Sequence, residues 1–74
     1  MDKLSIKMIA EISPLLKDLM DRAKLTEWEA KAFYYVMFEE LKPLQIATRE
    51  LMPYSSSHIY WIYKKARWKI NKIL

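Results

Sequence analysis

The sequence predicts an all-α fold, a small helical bundle that closes with a short helix, a break and a longer basic helix. Three observations carry this expectation. Apolar residues recur at helical spacings through most of the chain, and no stretch alternates with period two between turn residues. The 74 residues include no glycine, so the tight type I′ turns that join hairpin strands are hard to build. The three prolines, Pro14, Pro43 and Pro53, fall at the borders of apolar segments, where proline starts or stops helices. A chain of this length is one domain, 1–74, and buries only about 60% of its unfolded surface.

In the first segment Leu4, Met8, Ile12, Leu15 and Leu19 make one apolar stripe, with Lys3, Lys7, Glu11, Lys17 and Asp18 largely off it. The stripe keeps its phase across Pro14. Residues 1–24 are therefore expected to form an N-terminal amphipathic helix, kinked or broken at Pro14, with Ser13 available as an N-cap. Thr26-Glu27-Trp28-Glu29 reads as a capping box that opens a second helix running to about Leu41. That helix places Ala30, Phe33, Met37 and Leu41 on one face and Trp28, Tyr35, Val36 and Phe38 on the others. Being apolar nearly all round, it belongs in the middle of the bundle, with Trp28 and the aromatics from Phe33 to Phe38 in the core.

Lys42-Pro43 ends the second helix, and a short third helix runs from about Leu44 to Leu51. Met52-Pro53-Tyr54 is a break, because proline forbids continuation and biases Met52 toward extended geometry. Ser55 or Ser56 caps the last helix, which runs to about Ile73. Its core stripe is Ile59, Ile62, Ala66, Ile70 and Ile73, while Ser57, Trp61, Lys64 and Trp68 face the other way. Trp68 is expected to turn under the N-terminal helix. The five methionines suit gap-filling in a small core.

The net charge of +4 is unevenly placed. Met1–Leu41 holds six Lys/Arg against eight Asp/Glu, a net of −2, and Lys42–Leu74 holds seven against the single acid Glu50, a net of +6. A basic block at one end is the electrostatic footprint of a polyanion-binding protein. The alternative is a solvated cationic face, or a basic end that pairs with the acidic half.

Several function classes are disfavoured. Without cysteine there is no disulfide, thiolate metal site or thiol nucleophile, and a reducing cytoplasmic setting fits. Without glycine there is no phosphate-cradling loop. His58 is the only histidine and Glu50 the only acid after Leu41, so neither a metal site nor a Ser-His catalytic pair is expected. The longest apolar run, Ala32 to Phe38, is far short of the ~20 residues of a membrane span. The expectation is a soluble, non-enzymatic protein without a cofactor and without a membrane partner.

A short helix, a break and a longer basic helix make the outline of a helix-turn-helix. Leu25-Thr26-Glu27, Ile46-Ala47 and the run from Tyr54-Ser55-Ser56-Ser57-His58 through Ile59-Tyr60-Trp61-Ile62-Tyr63-Lys64-Lys65-Ala66 resemble the C-terminal promoter-reading domain of sigma factors. The likeness is strongest to small phage regulators of the late-gene activator and autolysin-regulator group, and it covers roughly Leu25 to Leu74. It implies duplex DNA binding, with the last helix as a long basic recognition helix in the major groove. Carried over by position, it implies that Ser56, Ser57, Tyr60, Trp61 and Lys64 reach bases or phosphates and that Ser55 caps the helix. Two departures stand out. The family usually keeps Arg, Lys, Gln or Glu at several reading positions, where this chain has Ser, Ser, His, Tyr and Trp. The interval from Ile46 to Ile59 is also about two residues longer, with Met52-Pro53 where glycine is common.

The residues themselves sort as follows. Lys64, Lys65 and Arg67 are candidate phosphate contacts, or else cations favouring the negative end of the helix dipole. Lys69 and Lys72 continue the run, and Arg49 on the preceding helix is a further candidate for a backbone contact. His58 is a candidate reader of phosphate or guanine, or a solvated residue at the helix start. Trp61 is either packed on thymine methyls or inserted between bases, or the anchor of a protein interface. The expected function is therefore a DNA-binding transcriptional regulator of a phage or mobile element, with RNA polymerase contact or homodimerisation through the N-terminal helix. The alternative is a protein-binding module, for example an inhibitor of a host enzyme or polymerase. A basic amphipathic helix lying on an anionic membrane is a third class, opposed by the commitment of the isoleucine stripe to the core.

Overall fold

A computed structural model describes residues 9, 11 and 13–74. Four helices are defined among them: α1 Pro14–Ala23, α2 Glu27–Met37, α3 Pro43–Thr48 and α4 Ser56–Ile73. No strand occurs among the described residues. The Cα radius of gyration is 11.4 Å, matching the roughly 11 Å of a compact chain of this length. The three shorter helices all pack on α4.

Ser13 divides the N-terminal region. Its N–H donates to the Ile9 carbonyl at 2.8 Å, finishing one helical turn. Its backbone then leaves helical space (φ −146°, ψ 94°), and its Oγ accepts from the Leu16 N–H at 3.3 Å to start α1 with Pro14 in the first turn. The backbone is thus broken at Ser13, and the buried residues on either side of it lie one position on from the expected stripe. Leu16, Met20 and Ala23 are buried together with Ile9, while Leu15 is 84% exposed. The expectation that Leu15 continues the stripe is corrected accordingly; Leu4, Met8 and Ile12 lie outside the described residues.

The capping box expected at α2 is present. The Thr26 Oγ1 accepts from the Glu29 N–H at 3.3 Å, and Glu29 Oε1 accepts from the Thr26 N–H at 2.9 Å. The helix buries Glu29, Ala30, Ala32, Phe33, Tyr34 and Tyr35. It stops at Met37, four residues before the expected end. Glu40 adopts φ 56°, and the amides of Phe38, Glu39 and Leu41 turn back to the Tyr34 and Tyr35 carbonyls. The chain therefore peels off the core early, leaving Met37 and Phe38 half exposed at 50% and 51%. Both were expected inside. Burial, then the neighbouring Glu39 carboxylate that accepts its hydroxyl proton, holds the Tyr34 phenol above its ordinary pKa.

Pro43 occupies the first turn of α3, and Gln45 Oε1 accepts from the Lys42 N–H at 2.8 Å. This helix ends at Thr48, sooner than expected, and the connection to α4 is seven residues long, 49–55. Ser55, not Ser56, caps α4: its Oγ accepts from the His58 N–H at 3.3 Å. The buried row of α4 is Ile59, Tyr63, Ala66 and Ile70. Ile62 and Ile73 sit at its edge, half-buried, and Tyr63 takes the position expected for an isoleucine. The Tyr63 ring stacks on Phe33 at 6.4 Å, and its hydroxyl donates to the Met37 Sδ at 3.3 Å.

One ion pair ties α2 to α4. The Lys69 Nζ donates to Glu29 Oε1 at 2.7 Å, on the carboxylate that also caps α2. Burial by itself raises the pKa of Glu29. The Lys69 hydrogen bond, the Thr26 amide and the charges of Lys69 and Lys65 outweigh it and hold the carboxyl below its ordinary value. A carboxylate whose pKa falls on folding stabilises the fold above its unfolded pKa, and that contribution is lost as pH drops through the folded value. Lys69→Met is expected to lower unfolding free energy by roughly 1.5–3 kcal/mol at pH 7, since it strips a charged hydrogen bond from a buried acid. Urea titrations at successive pH values should show wild-type stability falling on acidification below about pH 4, with that slope reduced in Glu29→Gln.

Two helix ends use the same closure without glycine. Lys24 (φ 57°) and Glu50 (φ 54°) adopt left-handed backbone, their N–H groups donating to the Asp21 and Ala47 carbonyls. The next residues, Leu25 and Leu51, donate to the Met20 and Ile46 carbonyls, both at 3.1 Å. This is the Schellman arrangement, in which glycine normally avoids a Cβ clash. Glu50→Gly and Lys24→Gly should each raise unfolding free energy by about 0.5–1 kcal/mol, net of the entropy glycine adds to the unfolded chain. A rise in the urea midpoint at constant slope is the expected readout.

Candidate nucleic-acid interface

The packing of α4 determines which of its side chains remain available. With Ile59, Tyr63, Ala66 and Ile70 turned inward, the 3.6-residue repeat turns Ser57, Trp61, Lys64 and Trp68 to the opposite side. All four are exposed, and Trp61 and Trp68 leave 66% and 58% of their surfaces to solvent. The expectation that Trp68 packs under the N-terminal helix is corrected. Its position eleven residues after Ser57 and seven after Trp61 places it on the outward row, and the Lys72 Nζ lies 4.1 Å from its ring centroid.

Flanking this row are further candidates. Tyr60 is exposed, and its ring meets that of Trp61 at 6.0 Å and 70°. The Lys64 Nζ lies 5.6 Å from the Tyr60 ring, and the Arg67 guanidinium lies 5.7 Å from the Tyr63 ring. Lys65 and His58 are exposed on the other flank. The His58 ring packs against Tyr54 at 4.5 Å, and Tyr54 meets Trp28 edge-on at 5.7 Å. The start of α4 and the last residues of the connection are thereby held against α2.

The serines differ among themselves. Ser57 stands on the outward row. Ser55 is exposed, but its hydroxyl is engaged as the cap. Ser56 is half-buried and shares the flank of Tyr63, one heptad on, so the structure places it away from Ser57 and Trp61. Arg49 is exposed at the end of α3, on the element that precedes the long connection.

The basic run also divides. Lys69 is half-buried and pairs with Glu29, which makes it a structural cation. Lys64, Lys65, Arg67 and Lys72 are exposed, and none of them forms an ion pair among the described residues. Three of these four lie over aromatic rings. A ring face attracts a cation through its quadrupole without cancelling its charge. Tyr63 belongs to the buried row, so on the solvent-facing side the ring–cation pairs are Lys64 with Tyr60 and Lys72 with Trp68.

Among the described residues no three His, Cys, Asp or Glu side chains converge as a metal site would require, and no helix is long and apolar enough to cross a membrane. The chain matches no known protein family, no curated protein and no solved structure.

Proposed function

We propose that this protein binds duplex DNA through the outward side of α4 and acts, without catalysis, as a transcriptional regulator of a phage or mobile element. The observation that carries the reading is the exposed row Ser57, Trp61, Lys64 and Trp68, flanked by cations that form no ion pair among the described residues. A helix about 10–12 Å across with its side chains fits a major groove of ~12 Å. Lys64, Lys65 and Arg67 engage phosphates and set the register of the helix. Ser57 and Tyr60 face base edges, Trp61 packs on thymine methyls, and His58 donates to a phosphate or to guanine. Ser55 keeps the first turn of α4 intact beside the DNA, and Arg49 adds a backbone contact from α3.

One such domain reads few base pairs, so a second contact belongs to this proposal. RNA polymerase or a second copy supplies it. The dimer expected through the N-terminal helix falls largely outside the described residues; within them, the exposed Leu15 of α1 is an apolar group that such a contact would cover. The site of action is the host cytoplasm, where the DNA lies. The sigma-like reading of residues 25–74 supports this function by resemblance, and the seven-residue connection departs from it.

A second reading has its own support. Trp61 and Trp68 are the kind of exposed aromatic anchors that protein interfaces use, and an inhibitor of a host enzyme or polymerase would dock by them. Labelled mixed-sequence duplex titrated across a salt series separates the two. Four cationic phosphate contacts, Lys64, Lys65, Arg67 and Arg49, predict a log–log slope of about −3.6, and Lys64→Ala or Arg67→Ala should each flatten it by about 0.9. Trp61→Ala should keep that salt dependence while losing sequence preference. Absence of duplex binding at low salt overturns the DNA reading in favour of the protein interface.

A further inference from the structure

Resting on the DNA-binding reading, we propose that Trp61 and Trp68 form a stacking platform for unpaired bases, so that α4 prefers DNA with an open or single-stranded segment over uniform duplex. The two indoles lie on one side of one helix, seven residues apart, which is an axial separation of about 10.5 Å. Stacked nucleotides rise by ~3.4 Å along a strand, so this distance spans about three of them. An indole carries a single hydrogen-bond donor and no acceptor, and it reads a paired base edge poorly. Its large ring face stacks on any base once that base is unpaired.

The surroundings of the two rings select the same occupant. Lys72 lies over the Trp68 ring at 4.1 Å, yet Trp68 keeps most of its surface open, so a ring can still be received. Tyr60 meets Trp61 at 70° instead of lying parallel over it, and Trp61 remains 66% exposed. Lys64 sits between the indoles on the outward row, with Lys65, Arg67 and Lys72 beside it. An occupant must therefore bring negative charge at short intervals together with flat aromatic groups. A strand with splayed bases has both, whereas in a closed duplex the base faces are already stacked on one another. An acidic peptide matches the charge and leaves the indole faces without a partner.

The test compares three labelled probes at one salt concentration by fluorescence anisotropy: a paired duplex, the same duplex with a central unpaired bubble, and one of its strands. The full chain should bind the bubble and the strand roughly tenfold more tightly than the duplex, with quenching of tryptophan emission. Trp61→Ala and Trp68→Ala should each remove most of that preference, and Trp61→Phe should retain part of it. Unchanged helical circular dichroism confirms that these exposed replacements leave the fold intact. Duplex binding with normal salt dependence but no preference for unpaired DNA overturns the stacking platform and leaves the DNA reading standing. A preference that survives both alanine variants likewise overturns it. No binding to any probe at low salt overturns both.

Discussion

Everything in this small protein is built against one helix. The row Ile59, Tyr63, Ala66 and Ile70 of α4 is the surface on which α1, α2 and α3 all pack. Together with half-buried Ile62 and Ile73, these side chains span about 100° of the helix circumference, so the wider exposed side is defined by subtraction. The core-facing row and the solvent-facing row consequently occupy opposite sides of the same eighteen residues. A large polar side chain introduced on the inward row would cost core packing, and the outward row can change without disturbing it.

The same division governs the charges. The acids of the first half are partly engaged locally, as in the Lys17–Asp21 and Lys31–Glu27 pairs one helical turn apart. Exposed pairs of that kind contribute little to stability, but they keep those acids on their own helices. Glu29 is different. It is buried, it caps its own helix, and it takes Lys69 from the basic end of the chain. Only this one ion pair joins the acidic and basic halves among the described residues. Lys64, Lys65, Arg67 and Lys72 therefore stay outside any ion pair among the described residues.

Features encoded within three or four residues were legible in the sequence. The Thr26–Glu29 capping box, the Ser55 cap and the inward placement of Ile59, Ala66 and Ile70 all depend on short spacing and local chemistry. What escaped notice depends on single backbone torsions or on distant neighbours. The apolar stripe was expected through Leu15, but the adjacent Leu15 and Leu16 both suit a helical spacing, and only packing against α4 shows that Leu16 is the one that turns inward. Met37 and Phe38 fit the pattern of a core helix, but the left-handed Glu40 follows them, and only glycine-poor sequences hide such a turn under an ordinary residue. In the candidate site, the outward row was readable from periodicity, whereas the roles of Lys69 and Ser56 were not. Lys69 looks like its neighbours until Glu29, forty residues away in sequence, is seen beside it.

The aromatic content of the outward side then becomes informative in its own right. A face evolved only to remain hydrated has no use for two indoles, since exposed aromatic surface is costly in water and invites non-specific association. A face that only neutralises phosphates needs cations alone. Here two cations rest over exposed rings, Lys64 over Tyr60 and Lys72 over Trp68, and Arg67 lies over the buried Tyr63 at the edge of that side. This arrangement holds long, flexible side chains near fixed positions while leaving their charge uncancelled, which lowers the entropy lost when an anion arrives. Ion pairing with neighbouring acids would order the same side chains and neutralise them. The scarcity of acids after Leu41 and the abundance of rings on α4 thus act together, leaving cations that rest against rings and keep their charge.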